Sequence, residues 1–265
     1  MSGWLVSSIP AWLLLIGLIV VVAGGAMLIQ RYVRRRYPVL NGDEHNDVTK
    51  FTYGFIGFVY AFFIGFVVSA MWGQINTADG DARTEGAVAV QMARDLSVFE
   101  RADGERIRQS LLAYEQAAIT EWPRAGAARS SEAERALARL STAYREVQAP
   151  NDPQKAVLAT SLSDLENISQ ARTVRLLTAR DDTGPPWPIW AVIFLTSVMV
   201  LGTVIVYGVE RADFHYPMVA IVGVIVAANV FLILELSHPF IGAVSTESDP
   251  LHEVVWVLSQ QPPTG

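Results

Sequence analysis

The chain is 265 residues long, 51% hydrophobic and 17% charged, with a net charge of −6, no cysteine and a mean hydropathy of +0.30. Soluble domains carry about a quarter charged residues, and the shortfall here gathers into four stretches almost free of charge, which marks an integral membrane protein. The absence of cysteine excludes disulfide frameworks, thiol chemistry and cysteine metal sites. The acidic balance argues against a nucleic-acid binder, whose phosphate contacts need clustered cations.

A bilayer core about 30 Å thick takes roughly 20 apolar helical residues. The expected spans are residues 4–29, 51–75, 187–209 and 216–236, with no Lys, Arg or Asp inside them and Glu235 near the end of the last. Span one lacks a basic leader and is followed by Arg31, Arg34, Arg35 and Arg36, so it reads as a retained anchor rather than a signal peptide. Short connectors rich in Lys and Arg stay in the cytoplasm. That rule places the connector with these arginines and Lys50, and the turn with Arg211, in the cytoplasm. Both termini and the long segment between spans two and three are then expected outside a bacterial inner membrane. Trp4, Trp12, Tyr32, Tyr37, Trp72, Trp187, Trp190, Tyr207 and Tyr216 fall near span ends, where amphipathic rings anchor.

Residues 76–183 read as a four-helix bundle. Ile75, Ala78, Ala82, Glu85, Ala89, Met92, Leu96 and Phe99 form a heptad seam that continues span two without a break. A second helix is expected from an Asp103 cap, carrying Ile107, Leu111, Tyr114 and Ala118 as far as Trp122-Pro123. A third opens with Ser131 and Glu134 at capping-box spacing, with Leu137, Leu140, Tyr144 and Val147 on its stripe. The fourth starts at Asp152-Pro153 and lays down Leu158, Leu162, Leu165, Ser169, Arg172 and Leu176. Glu85 and Arg172 are charges on apolar seams. Counting about 1.5 Å per residue from the membrane ends brings them to similar heights, with Arg175 one turn away. The expectation is a buried ion pair of Glu85 with Arg172 or Arg175.

Span two carries two distinct stripes. Gly57, Ala61, Gly65, Ser69 and Gly73 recur every fourth residue, a small-residue ladder of the kind that lets helices approach closely in lipid. Phe51, Phe55, Phe58, Phe62 and Phe66 run beside it. The ladder either packs against the other spans or faces an axis shared by several copies, where the phenylalanines would form a hydrophobic constriction that gates by dewetting. No midplane Asp, Glu, Lys, Arg or His exists to support proton-coupled transport, and Asn229 reads as an interhelical hydrogen-bond partner. The four histidines, His45, His215, His238 and His252, show no zinc spacing. No nucleophile–base set or paired catalytic carboxylates occur. The reading is therefore not an enzyme, with no cofactor and no metal.

His45-Asn46-Asp47-Val48, Tyr60-Ala61-Phe62, Trp72 with Glu85, Ala171-Arg172 with Arg175-Leu176, and His238-Pro239-Phe240 with Gly242 together resemble the bestrophin-like family of bacterial membrane proteins. The resemblance spans nearly the whole chain. It implies kinship to bestrophins, pentameric anion channels with four spans per subunit and a phenylalanine-rich constriction on the second span. The expected fold is all-α: four transmembrane helices with an extramembrane four-helix bundle inserted between helices two and three. Its expected parts are residues 1–75, 76–183, 184–236 and a tail, 237–265. The first functional expectation is an oligomeric ion channel, pentameric if it follows the resemblance, lined by span two at Phe55, Phe58, Phe62 and Phe66, with the lipid bilayer, further copies of the chain and small inorganic ions as partners. The alternative is a membrane sensor or scaffold whose outer bundle binds a partner or ligand.

Overall fold

Four helices of the computed structural model are long and apolar enough to cross a membrane: Ala11–Arg36, the apolar part of the helix beginning at Asn46, Trp187–Val206 and Ala212–Leu236. The structure describes residues 2–37, 46–122, 130–180, 184–207 and 212–260. Among these, the elements are all helical, and the chain divides into two compact units.

The first unit comprises residues 1–73, 184–238 and 242–244. Span one is divided. Helix α1 (Ser2–Ser8) ends before Pro10, and α2 (Ala11–Arg36) begins after it. The residue before a proline is pushed out of the helical region, so the expected helix from Trp4 breaks there and then runs on through the arginine cluster. Helix α3 is Asn46–Asp95 (50 residues) and contributes its first part to this unit. Helix α7 (Trp187–Val206) has Pro188 in its first turn, where the missing N–H costs nothing. Helix α8 (Ala212–Leu236) begins one turn earlier than the hydropathy alone suggests.

The closest helix crossing in this unit joins α2 to α8. A Cβ added at Gly223 would lie 2.7 Å from the Ala23 Cα and 2.9 Å from its Cβ. Only glycine fits so near a neighbouring backbone, and dispersion between close backbones is what holds helices together in lipid.

The second unit comprises residues 74–183, 239–241 and 245–265. It contains the distal part of α3, a 3₁₀ turn at Leu96–Val98, and helices α4 (Arg101–Glu121), α5 (Ser131–Arg145), α6 (Asp152–Arg180) and α9 (Asp249–Gln260). Met92, Ile107, Leu111, Tyr114, Leu140, Tyr144, Ile168, Leu251 and Leu258 are its fully buried centre. Helix α9 lies in the stretch read as a tail. Leu251, Val254 and Leu258 recur at helical spacing and are buried in the same core. Gly86 of α3 makes room for it, since a Cβ there would meet Pro250 at 2.7 Å.

Three caps differ by a residue or more from the sequence reading. Glu100, not Asp103, precedes α4, and Asp103 instead binds Arg106 and accepts from the Gln148 N–H. Ser130, not Ser131, caps α5 by accepting from the Glu132 and Ala133 N–H groups. At α6 the Asn151 carbonyl side chain accepts from the Gln154 N–H at 2.9 Å. Asp152 and Pro153 are thereby the first helical residues. At α5 and α6 an adjacent polar side chain took the role, whereas Glu100 at α4 makes no side-chain capping bond.

Candidate functional site

In its membrane part, α3 buries one face and bares another. Tyr60, Ile64, Val67 and Met71 are buried against the rest of the first unit. At about 100° per residue, the phenylalanine stripe lies on nearly the opposite side of the helix. Phe55, Phe58, Phe62 and Phe66 are 62%, 70%, 71% and 69% exposed. Phe58 and Phe62 stack on one another with centroids 6.5 Å apart. The small-residue ladder faces open space as well. A Cβ at Gly57, Gly65 or Gly73 would have nothing within 4 Å, and Ala61 and Ser69 are exposed. Among the described residues the ladder therefore makes no close packing; a close-packed glycine of the spans is Gly223, against Ala23 of α2.

The motif that precedes span two is described only in part. His45 lies outside the described residues. Asn46 and Asp47 are the first two residues of α3, with side chains outside the described set. Near that end of the unit, His215 joins three helices. Arg34 of α2 donates to its Nδ1 at 3.0 Å, and its Nε2 meets the Val204 carbonyl of α7 at 3.0 Å. A guanidinium can only donate, so Nδ1 is the acceptor and the proton sits on Nε2, on a neutral ring.

The motif His238-Pro239-Phe240 with Gly242 follows α8. Gly242 has φ +105°, and a Cβ there would collide with Glu235 Oε2 and Val6 Cγ1 at 2.7 Å. Its glycine is required twice over, by backbone conformation and by space. The bend presents the Ala243 N–H to Glu235 Oε2 at 2.9 Å, which gives this buried carboxylate a partner. His238 borders Gly3, where an added Cβ would lie 3.2 Å from its Nε2. Within the second unit, Phe240 packs edge-on against Trp122, centroids 5.8 Å apart. The Trp122 indole donates to the Thr246 carbonyl at 3.0 Å, and the Thr246 N–H to the Pro239 carbonyl at 2.7 Å.

Trp122 also borders a buried charge cluster. Arg172 does not pair with Glu85. Its Nε and Nη2 form a fork onto both oxygens of Glu121 at 3.0 Å, and its Nη1 reaches Glu134 at 2.8 Å. Arg175 is the residue that meets Glu85, at 3.4 Å, with its guanidinium over the Trp122 ring at 4.4 Å. The Tyr114 hydroxyl donates to the same Glu85 oxygen at 3.3 Å. Arg172 turns away because Glu121 offers a bidentate carboxylate already oriented by the Ser130 N–H.

Glu115 has no such partner. It is fully buried, and among the described residues neither carboxylate oxygen has a hydrogen-bond donor. Burial, and then the neighbouring Glu85 charge, push its carboxyl far above the usual range, against a smaller opposing pull from Arg175. Burial would raise Glu121 as well, but the Arg172 and Ser130 hydrogen bonds outweigh it and hold that carboxyl low. The sequence reading missed Glu115 and Glu121, and took Glu134 as a capping-box residue rather than a partner of Arg172. Glu121 continues the seam Ile107, Leu111, Tyr114, Ala118 at helical spacing, a signal that was present.

Among the described residues, no group of three or more His, Cys, Asp or Glu side chains is arranged to hold a metal ion. The bared face of α3 and the buried charges of the second unit are the features left for function.

Residues 17–251 match the Bestrophin-like domain family. No curated protein matches the chain. Among solved structures, a mutant bacterial bestrophin homolog from Klebsiella pneumoniae is similar with a TM-score of 0.67 at 16% identity, over 92% of this chain and 95% of that one. A second mutant of that homolog gives 0.66 at 15%, over 93% and 99%. A structure described only as a membrane protein gives 0.66 at 14%, over 94% and 99%. At such identity the likeness is one of fold, and it agrees with the family match over most of the chain: this protein belongs to the Bestrophin-like family.

Proposed function

We propose that the chain is one subunit of a homo-oligomeric ion channel, a closed ring in which α3 lines the pore and Phe55, Phe58, Phe62 and Phe66 form its constriction. The observation that carries this reading is the double bareness of α3: large aromatic rings and a glycine ladder both point away from the subunit's own packed face. Lipid alone would solvate the phenylalanines but gives no reason for small residues every fourth position beside them. A neighbouring α3 does, because the ladder admits its backbone closely. A ring of phenylalanines would then pass ions only when wetted.

In this reading residues 76–183 lie outside the membrane as an insert between the second and third spans, joined there by α9. The arginine-rich end of α2 and the connector that follows it face the cytoplasm of a bacterial inner membrane and both termini face away from it, as the Lys and Arg asymmetry directs. The parts of the chain are those of the sequence reading: residues 1–75, 76–183, 184–236 and 237–265. The test is direct. Native mass measurement of the protein in lipid nanodiscs is expected to show a single closed oligomer, with five subunits the first expectation from the family likeness. The same preparation is expected to conduct in planar bilayers. A monomer under both conditions, or an α3 far from the symmetry axis of the ring, rejects the reading.

A further inference from the structure

The cleft between α4 and α5 gathers three guanidinium groups, of which the fold uses two only in part and Arg139 not at all among the described residues. It is an open groove of about 580 Å³ lined by Arg106 on α4 and by Arg135 and Arg139 on α5, with Ala138, Ala143 and Glu146 also at its walls. Arg135 and Arg139 stand one turn apart, a like-charge spacing that weakens a helix rather than supporting it. The Arg135 Nε is spent on the Ser131 carbonyl at 2.9 Å, and its outer nitrogens make no hydrogen bond among the described residues. Arg139 makes no hydrogen bond or ion pair among the described residues.

Arg106 adds a second sign. Its Nη2 binds Asp103 at 2.7 Å, but its Nε is buried with no hydrogen-bond partner, the Glu146 carboxylate stopping 3.7 Å away. A buried N–H without an acceptor is costly and uncommon in native structures. The Ser110 and Thr142 hydroxyls donate to the Arg106 and Ala138 carbonyls, so recognition in the cleft falls to the guanidiniums.

We propose that this cleft binds a phosphate-bearing anion, gripped by Arg135 and Arg139 and completed by the Arg106 Nε once Glu146 swings aside. Guanidinium forks match tetrahedral oxyanions, and one phosphate can be shared between forks on two helices. The volume leaves room for more than a single phosphate group, so a diphosphate or a phosphoester fits better than a bare ion. The site is independent of whether the protein conducts ions.

The experiment is calorimetric titration of sodium pyrophosphate into the full-length protein in phosphatidylcholine nanodiscs at low salt. Saturable binding is expected. Arg135→Ala and Arg139→Ala are each expected to weaken it by about tenfold or more, and Glu146→Gln to tighten it. Arg35→Ala, in the last turn of α2, is the charge control and leaves it unchanged. Thermal melting of each variant checks folding, and Arg139→Ala alone should melt no lower than the parent. A parallel arm replaces the lipid with phosphatidylglycerol and omits pyrophosphate. Arg139-dependent stabilisation there assigns the phosphate to a lipid headgroup, whereas binding only in the pyrophosphate arm assigns it to a soluble ligand. Absence of both effects, or effects that survive loss of Arg135 and Arg139 together, overturns the proposal.

Discussion

Glu115 and Arg172 show how differently two buried charges behave when one has partners and the other does not. With its carboxyl raised by burial and by Glu85, Glu115 holds its proton in the folded state over a range in which the unfolded chain has lost it. Its stabilising share is complete below the unfolded carboxyl value and is lost as pH rises through the folded one. Across that window the parent is expected to lose up to about 1.4 kcal/mol of stability per pH unit relative to Glu115→Gln. Melting both proteins from pH 5 to 8 checks it, and parallel curves would contradict it. Arg172 is the reverse case. Arg172→Met leaves Glu121 and Glu134 without their cation and is expected to cost about 3–5 kcal/mol. Arg172→Lys should recover only part of this, because an ammonium cannot reproduce the fork onto Glu121. Denaturant unfolding of the three proteins in one detergent measures both steps.

At the scale of elements, α3 carries most of the functional argument, and its two stripes predict different failures. Gly65 has open space around its Cα within the chain. Gly65→Leu is therefore expected to leave the subunit folded and its far-ultraviolet circular dichroism unchanged while breaking the proposed oligomer, read as a shift to the monomer mass in nanodiscs. Phe62→Ala touches no core residue, since that ring is 71% exposed. It is expected to raise single-channel open time or leak with little change in melting temperature, because a smaller ring removes the barrier to wetting. A variant that instead unfolds would mean that the stripe serves packing alone. Helix α9 teaches a different lesson. Its start, Ser248-Asp249-Pro250, repeats the polar-residue-then-proline pattern of Asn151-Asp152-Pro153 at α6, and Leu251, Val254 and Leu258 mark a buried stripe. Both signals were legible. They were overlooked because the segment is short and follows the last span.

For the whole molecule, the membrane class, the all-helical content and the four long apolar helices follow from composition and hydropathy, since lipid admits a spanning segment only when its backbone is satisfied internally. The orientation rests on charge alone and has its own test. Cysteines introduced at Asp43 and Ser131 are expected to divide in intact cells, with an impermeant reagent labelling the second and not the first. Labelling of Asp43→Cys instead would invert the proposed topology. What the sequence by itself determined is periodic: which stretches are apolar, that the seam leaving span two stays helical, and that span two has a small face and an aromatic one. The tertiary structure alone decided the pairings. It gave Arg172 to Glu121 and Arg175 to Glu85, moved the tight crossing to Gly223 and Ala23, turned Phe240 onto Trp122, and left Glu115 without a donor. The reason is physical. A helix's period ranks its own residues by face, whereas a pairing depends on the rotation and height of two helices at once, and those are set by the side chains that pack between them.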